Sequence, residues 1–269
     1  MKFFKLAVTY LKKHWILPLF ALGLGALLSI ARLGGGFYAY LSKFFEQGKP
    51  TFYDVYSQLS PIVGSWWGVL IALILCAMFF AYYVGIIDRH MKIGEFRLNA
   101  PFRKVNENVT FMLVFLVVFI LVEEIVNVLV ALASAAILSV ATPVVGYVVT
   151  IIAYVLFQGV TLLLFTMCAL WIPETVITGM SMKDSLSVAI GMSKGHVGKM
   201  FFGALIGLSS AFLISMIGAF TGPVIRTILN AVSAGVLIGF VPVYVFTSYY
   251  EISDLEREDL SPVKNFWKK

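Results

Sequence analysis

Charged residues are scarce in this sequence. Only 13% of its 269 residues are Asp, Glu, Lys or Arg, and 60% are hydrophobic, whereas a soluble domain is about 25% charged and about 45–50% apolar. A soluble globular domain is therefore excluded by composition. The mean hydropathy of +0.94 indicates a membrane protein.

Cysteine, histidine and catalytic motifs are also scarce. Cys76 and Cys168 lie inside apolar runs without CxxC spacing, which argues against a disulfide framework or a metal site. His14, His90 and His196 fall in separate loops without HExxH spacing, so we expect them to be solvated. There is no GxSxG motif and no serine with an obvious base, and we expect no cofactor, no metal and no enzymatic activity.

The apolar runs predict an all-α fold: a polytopic membrane helix bundle of about six transmembrane helices with short interfacial amphipathic helices, in a single transmembrane domain over residues 1–269. A helix crosses about 30 Å of hydrocarbon with about 20 apolar residues. The predicted spans are Trp15–Ala31, Ile62–Ile87, Val109–Val140, Val144–Ile172, Met200–Phe220 and Val224–Tyr249.

The positions of the basic residues predict the orientation of these spans. Most of the 20 Lys and Arg residues precede the first span or follow the second, fourth and sixth spans. The positive-inside rule then places both termini in the cytoplasm. The net charge of +6 therefore reflects topology, and we expect no nucleic-acid partner. The expected partners are the lipid bilayer, anionic lipids at the cytoplasmic face and a membrane or cytoplasmic protein.

The N-terminus has features of a secretory signal peptide: a basic segment, an apolar run and the small-residue site Ser29-Ile30-Ala31. The basic segment is long and many spans follow it, so a retained signal anchor is the favoured interpretation.

Polar spacings between the spans predict short helices. Thr51 and Asp54 have the spacing of a capping box in the outer loop, as do Ser181 and Asp184 in an inner segment. The favoured interpretation of the first pair is a surface loop with one or two helical turns. The alternative is a short helix through Tyr56 to Leu59 that lies against the membrane or covers the bundle. Asn99 and Pro101 predict the start of a helix that continues into the third span.

Small residues recur at every fourth position in four spans, and such ridges let helix backbones approach each other in lipid. The ridges are Ala21, Gly25 and Ser29; Gly64, Gly68, Ala72 and Cys76; Gly203, Gly207, Ala211, Ser215 and Ala219; and Thr227, Ala231, Gly235 and Gly239. We predict that the last two ridges join the fifth and sixth spans in a tight antiparallel hairpin.

Two carboxylates interrupt the third apolar run. Glu123 and Glu124 lie about 12 residues beyond Phe111, roughly 18 Å along a helix, and Asn127 shares a helix face with Glu123. Intramembrane carboxylates usually mark ion or proton paths, so these residues form a candidate ion or proton site. Possible partners on other spans are Gln158, Thr161, Ser209, Ser210 and Asn230.

A second interpretation of the same glutamates stays open. The third run is about 48 Å long if it is fully helical, which exceeds the hydrocarbon thickness. The helix could instead break at Glu123 and Glu124, which would then lie at the outer surface and leave residues 125–140 as a re-entrant or surface segment.

The segment from Gly191 to Lys199 combines glycines with basic residues. It does not match a Walker A loop, because Lys199 is followed by Met200 and no strand precedes it. We expect Lys194, His196 and Lys199 to lie at the lipid headgroups, where each basic residue attracts anionic lipid by about 1 kcal/mol.

Pro173 at the inner face, followed by SMKDSLSVAIGMSKGHVGKMFF, resembles bacterial integral membrane proteins related to the membrane domain of glycerophosphodiester phosphodiesterases. The Gly-Glu-Phe-Arg loop of residues 94–97 sits in a compatible position, so the resemblance covers roughly Gly85–Leu208. It implies a stand-alone module of a bacterial plasma membrane. The soluble phosphodiesterase domain is absent here, so that activity is not implied.

Two function classes follow from the sequence. The first is a non-enzymatic accessory or scaffold component of a transport or envelope assembly. The second is a small ion- or proton-coupled transporter or channel that uses Glu123 and Glu124.

Overall fold

A computed structural model describes residues 2–30, 51–94, 96, 102–140, 143–219 and 221–260. These described residues form helices and turns without strands, which confirms the all-α prediction. The helices are α1 (Lys2–Lys13), α2 (Ile16–Ile30), α3 (Phe52–Leu59), α4 (Pro61–Ile93), α5 (Phe102–Val140), α6 (Pro143–Cys168), α7 (Trp171–Thr178), α8 (Met182–Ser193), α9 (Val197–Ala219) and α10 (Pro223–Ile252), and a 3-10 turn follows at Glu258–Leu260.

Five helical segments of the described residues are long and apolar enough to cross a membrane. They are Trp66–Ile93, Val105–Val140, Val148–Thr178, Val197–Gly218 and Val224–Ile252. A sixth span forms if α1 and α2, which are bent by 93° relative to each other, count as one. The chain is therefore a helical membrane bundle, as predicted. Four residues named in the predicted boundaries, Ala31, Asn99, Pro101 and Phe220, lie outside the described residues.

Local sequence signals account for the ends of several helices. Asp54 N–H donates to Thr51 Oγ1 at 3.3 Å, and Thr51 N–H donates to Asp54 Oδ2 at 2.9 Å, so the predicted capping box opens α3. At α8, Asp184 N–H donates to Ser181 Oγ at 3.3 Å, but the Asp184 carboxylate accepts from the Ser181 hydroxyl. This second cap is thus half of the predicted box. Gly94, with φ of 72°, ends α4 in the left-handed conformation that glycine tolerates.

Helix α1 is amphipathic and packs across one end of the bundle. It buries Phe3, Ala7 and Tyr10. The side chain of Lys2 forms an ion pair with Glu251, and Lys13 Nζ donates to the carbonyl oxygen of Asp259 at 3.3 Å. The start and the end of the described chain therefore lie at the same end of the bundle, as an even number of spans requires.

Helices α2 and α10 run antiparallel with their backbones in contact. A Cβ atom on Gly25 would lie 2.5 Å from Ala231 O and 2.6 Å from Gly235 N. A Cβ atom on Gly235 would lie 2.8 Å from the Cα of Leu22. A side chain at either glycine would thus meet backbone atoms that cannot rotate away.

The α9–α10 hairpin forms through glycine–aromatic contacts. Gly203 faces Tyr244, Gly207 faces the ring of Phe240, and Ser233 Oγ donates to Ala211 O at 2.7 Å. The ridge of Ala231, Gly235 and Gly239 was predicted to face α9, and this prediction is wrong because the ridge packs on α2. Phe240 lies about 140° around the helix from Gly235 at 3.6 residues per turn. Helix α10 therefore uses two separate faces.

We expect Gly25→Ala and Gly235→Ala each to destabilise the bundle by about 1–3 kcal/mol, because an added methyl group would overpack a backbone contact. The measurement is the midpoint temperature of thermal unfolding in detergent. Gly23→Ala is the matched control on α2, since its Cβ would meet nothing within 4 Å. Equal midpoints for all three variants would contradict a close α2–α10 contact.

Candidate functional site

Glu123 and Glu124 lie within one continuous helix. Helix α5 runs for 39 residues from Phe102 to Val140, roughly 58 Å at 1.5 Å per residue. The alternative of a helix break at the glutamates is therefore wrong. Successive residues point about 100° apart around a helix, so the two adjacent carboxylates face different neighbours.

The carboxylate of Glu124 is held by α3 and by the residue that precedes α4. Its Oε2 accepts a hydrogen bond from the Tyr56 hydroxyl at 3.0 Å, and its Oε1 accepts one from the Ser60 hydroxyl at 3.0 Å. Asn127, one turn further along α5, donates from Nδ2 to Leu59 O at 3.4 Å. Glu124 is 9% exposed. These bonds fasten α3 and its junction with α4 to the middle of α5.

Ser60 has a second role at this junction. It is the N-cap of α4, and its Oγ accepts from Val63 N–H at 3.4 Å while its hydroxyl donates to Glu124. The following residue, Pro61, begins α4 at a position where its missing N–H costs nothing. The start of the second span is therefore tied to a charged residue of the third.

The carboxylate of Glu123 faces α6 instead. Gln158 Nε2 donates to Glu123 Oε2 at 3.4 Å across the α5–α6 hairpin. Gln158 was one of five possible partners, and the other four lie elsewhere or bond locally. Thr161 donates to Phe157 O, Ser210 donates to Gly207 O, Asn230 accepts from Ser215, and Ser209 is exposed on α9.

Tyr56 and Ser60 are partners that sequence reasoning missed. Both precede the second span, in a segment interpreted as a surface loop or as a cover over the membrane or the bundle. The one available signal was the Ser-Pro pair, which predicts a helix start with a buried hydroxyl nearby. The carboxylate that this hydroxyl contacts is 64 residues away in the chain, and no local pattern reports that distance.

A second buried carboxylate lies at the end of the bundle where α1 packs. Glu174 of α7 is 3% exposed, and its Oε2 accepts from the Tyr249 hydroxyl of α10 at 2.8 Å. Beside it, Trp171 Nε1 donates to Met182 O at 2.9 Å and to Ser185 Oγ at 3.1 Å. These bonds join α7, α8 and α10. Sequence reasoning did not single out Glu174, although it is the one charge in the Trp-Ile-Pro-Glu-Thr turn.

His14 and His90 come together at the same end, so the expectation that they are separate and solvated is wrong. Their ring centroids are 4.4 Å apart, and the Tyr10 hydroxyl hydrogen-bonds to His90 Nδ1 at 2.9 Å. His90 is 4% exposed. The Arg257 guanidinium lies 5.8 Å from the Tyr10 ring centroid and pairs with Asp259 through Nη2 at 2.8 Å.

This cluster changes the proton affinity of its members. Burial and the neighbouring Lys13 lower the pKa of His14, while Asp259 acts in the opposite direction. Burial and the negative charge of Asp259 raise the pKa of Tyr10 well above its usual value.

In the described part of the chain, no group of three or more His, Cys, Asp or Glu side chains could hold a metal ion.

The basic turn between α8 and α9 does not form a phosphate loop. Lys194 and Lys199 are exposed, and His196 is half-buried, with its ring centroid 6.2 Å from that of Phe3. Cβ atoms on Gly195 and Gly198 would meet nothing within 4 Å, so the glycines do not surround a closed cradle. All three basic residues lie where α1 meets the start of α9.

Comparisons with protein-family models, with curated proteins and with solved structures found no match to this chain.

We expect Tyr56→Phe to free α3 from Glu124, because it removes a hydrogen bond to a carboxylate worth about 1.5 kcal/mol. Amide hydrogen exchange in residues 52–59 should then be about tenfold faster. Tyr53→Phe is the matched control, since Tyr53 is 64% exposed. Equal exchange in the two variants would show that the Tyr56–Glu124 bond does not hold α3.

We expect the bundle to lose stability in acid through His14. Its pKa is lowered in the folded state, so the unfolded chain binds the proton more readily. Stability is then full above pH about 6.5 and falls as the pH drops through that value. Unfolding midpoints at pH 7.5 and 5.5 test this, and His14→Gln should reduce the difference between them. His196→Gln, outside the cluster, is the control, and a difference unchanged in His14→Gln would contradict the prediction.

Proposed function

We propose that this chain is a non-catalytic membrane component that acts by binding, as an accessory or scaffold subunit of a transport or envelope assembly. The observation that most supports the proposal is the hydrogen bonding of Glu123 and Glu124. Both oxygens of Glu124 accept hydrogen bonds from Tyr56 and Ser60, and Glu123 accepts one from α6. Carboxylates engaged in this way hold helices together, and a transport path would require at least one to be released.

The α5–α6 hairpin offers a surface for such a partner. In each of these two spans, only 17% of the most apolar 18-residue stretch is buried inside the bundle, whereas 50% of the corresponding stretch of α10 is buried. On this hairpin the polar Glu123–Gln158 pair is half-buried between exposed Phe119 and Val155. Polar side chains in contact with lipid are energetically unfavourable. A neighbouring helix that covers the Glu123–Gln158 pair would remove the pair from lipid and hydrogen-bond to it, and both effects would stabilise the complex.

The resemblance to the membrane domain of glycerophosphodiester phosphodiesterases belongs to the same proposal. It supports a module of a bacterial plasma membrane. Pro173, which carries part of that resemblance, lies beside Glu174 in helix α7, and Glu174 links that helix to α10. The proposal therefore assigns this motif a structural role.

Glu123 supports a second candidate function, a proton- or ion-coupled transporter. Its hydrogen bond from Gln158 is long at 3.4 Å, and the residue is half-buried. A carboxylate held this weakly near the middle of a span could take up and release a proton.

The first proposal is tested by placing a photo-crosslinking amino acid at Phe119 or Val155 of the full chain in its native membrane. We expect a discrete protein adduct at both positions, because they flank the polar pair. Phe212 and Leu213 on α9 are matched controls, being 54% and 56% exposed and distant in sequence from the hairpin.

Two outcomes would contradict the scaffold proposal. One is that the hairpin positions give lipid adducts alone, as the controls should. The other is proton flux by the purified chain in liposomes that Glu123→Gln abolishes, which would establish the transporter alternative.

A further inference from the structure

A groove with apolar walls lies beside the bend between α1 and α2. Its volume is about 210 Å³, and its lining includes Phe4, Val8 and Leu11 of α1, Gly207 and Ser210 of α9, and Phe240 of α10. No acidic residue is among the described residues that line it. The groove thus suits an alkyl chain and disfavours a charged group.

The groove exists because of glycine and the bend. Gly207 has no side chain, and a Cβ atom there would collide with the Phe240 ring. Phe4 packs against that ring with centroids 5.7 Å apart, which places α1 along one wall. Since α1 turns by 93° from α2, it crosses the end of the span, and its apolar side faces the groove.

Basic side chains flank the groove. Lys12 is exposed on α1, next in angle to its groove-facing residues. Lys199 is exposed on α9 and lies about 20° around that helix from Ser210, roughly 16 Å nearer the end at which α1 packs. Within the described chain, neither of these two lysines is paired with a carboxylate.

A second cleft nearby has charged walls. It has a volume of about 200 Å³, and its lining includes Lys2, Lys5, Lys13, Arg257 and Asp259. Lys2 pairs with Glu251, and Arg257 pairs with Asp259 inside the cleft. Lys5 therefore belongs to this charged cleft, whereas Lys12 and Lys199 are the cations beside the apolar groove.

We propose that the apolar groove binds one acyl chain of an anionic phospholipid, whose headgroup lies between Lys12 and Lys199. The apolar walls bury the chain, and both lysines attract the anionic headgroup. This site goes beyond the proposed scaffold function and does not depend on it, because a transporter with the same groove would bind the same lipid.

The test uses the full chain purified in detergent and titrated with phosphatidylglycerol or with phosphatidylcholine carrying the same acyl chains. A ligand that binds the folded state raises the unfolding midpoint. We expect a larger rise with phosphatidylglycerol and none with inorganic phosphate. Equal rises with the two lipids would overturn the headgroup site, and a rise with phosphate alone would show a free-anion site instead.

Ser210→Phe fills the groove and should abolish most of the rise with either lipid. Ser209→Phe is the matched control, because Ser209 is exposed on α9 like Ser210 but does not line the groove. If Ser210→Phe and Ser209→Phe respond equally to lipid, the groove is not the binding site.

A second pair of variants tests the headgroup without altering the groove. Lys12→Gln combined with Lys199→Gln should weaken the apparent affinity for phosphatidylglycerol about 30-fold and leave that for phosphatidylcholine unchanged. Lys183→Gln, at an exposed lysine of α8, is the control. An affinity for phosphatidylglycerol that does not fall in the double variant would overturn the assignment of these lysines.

Discussion

The backbone contact between α2 and α10 is the constraint on which the rest of the bundle depends. Helices in lipid gain little hydrophobic energy by associating, so they need close packing. Helix α10 contacts α1, α2, α4, α7 and α9. With α2 held against its glycine face, a second face presents Phe240 and Tyr244 to α9. Tyr249, further along the glycine face, reaches Glu174 of α7. A displacement at Gly25 or Gly235 would therefore reach every helix that α10 touches.

The buried carboxylates of the bundle are constrained by their surroundings as well. Carboxylates in lipid are costly unless they are paired or hydrogen-bonded. Adjacent positions on one helix let Glu124 hold α3 and Glu123 hold α6, while Glu174 holds α10 at the opposite end. Each carboxylate joins segments that are far apart in sequence. This use explains how so few charges can be placed inside an apolar protein and still contribute to its structure.

The sequence predicted the spans and the capping box at Thr51 because these depend on length and local spacing. It did not predict which helices and which distant side chains contact each other. The period of Ala231, Gly235 and Gly239 defines one face of a helix, but the helix that meets this face depends on the whole bundle. The contacts between His14 and His90, and between Ser60 and Glu124, join positions separated by many residues. The positions and spacing of the histidines predict that they are solvated, but tertiary packing brings His14 and His90 into contact.

Helix α1 connects the features at the end of the bundle where it packs. Its buried face supplies Tyr10 to the histidine cluster, and its apolar flank supplies Phe4 and Val8 to the groove. The bend before α2 sets both, because the position of α1 relative to α10 determines whether Phe4 meets Phe240 and whether Tyr10 meets His90. The histidine cluster and the groove therefore depend on the same helix and on the same bend, whichever function the spans serve.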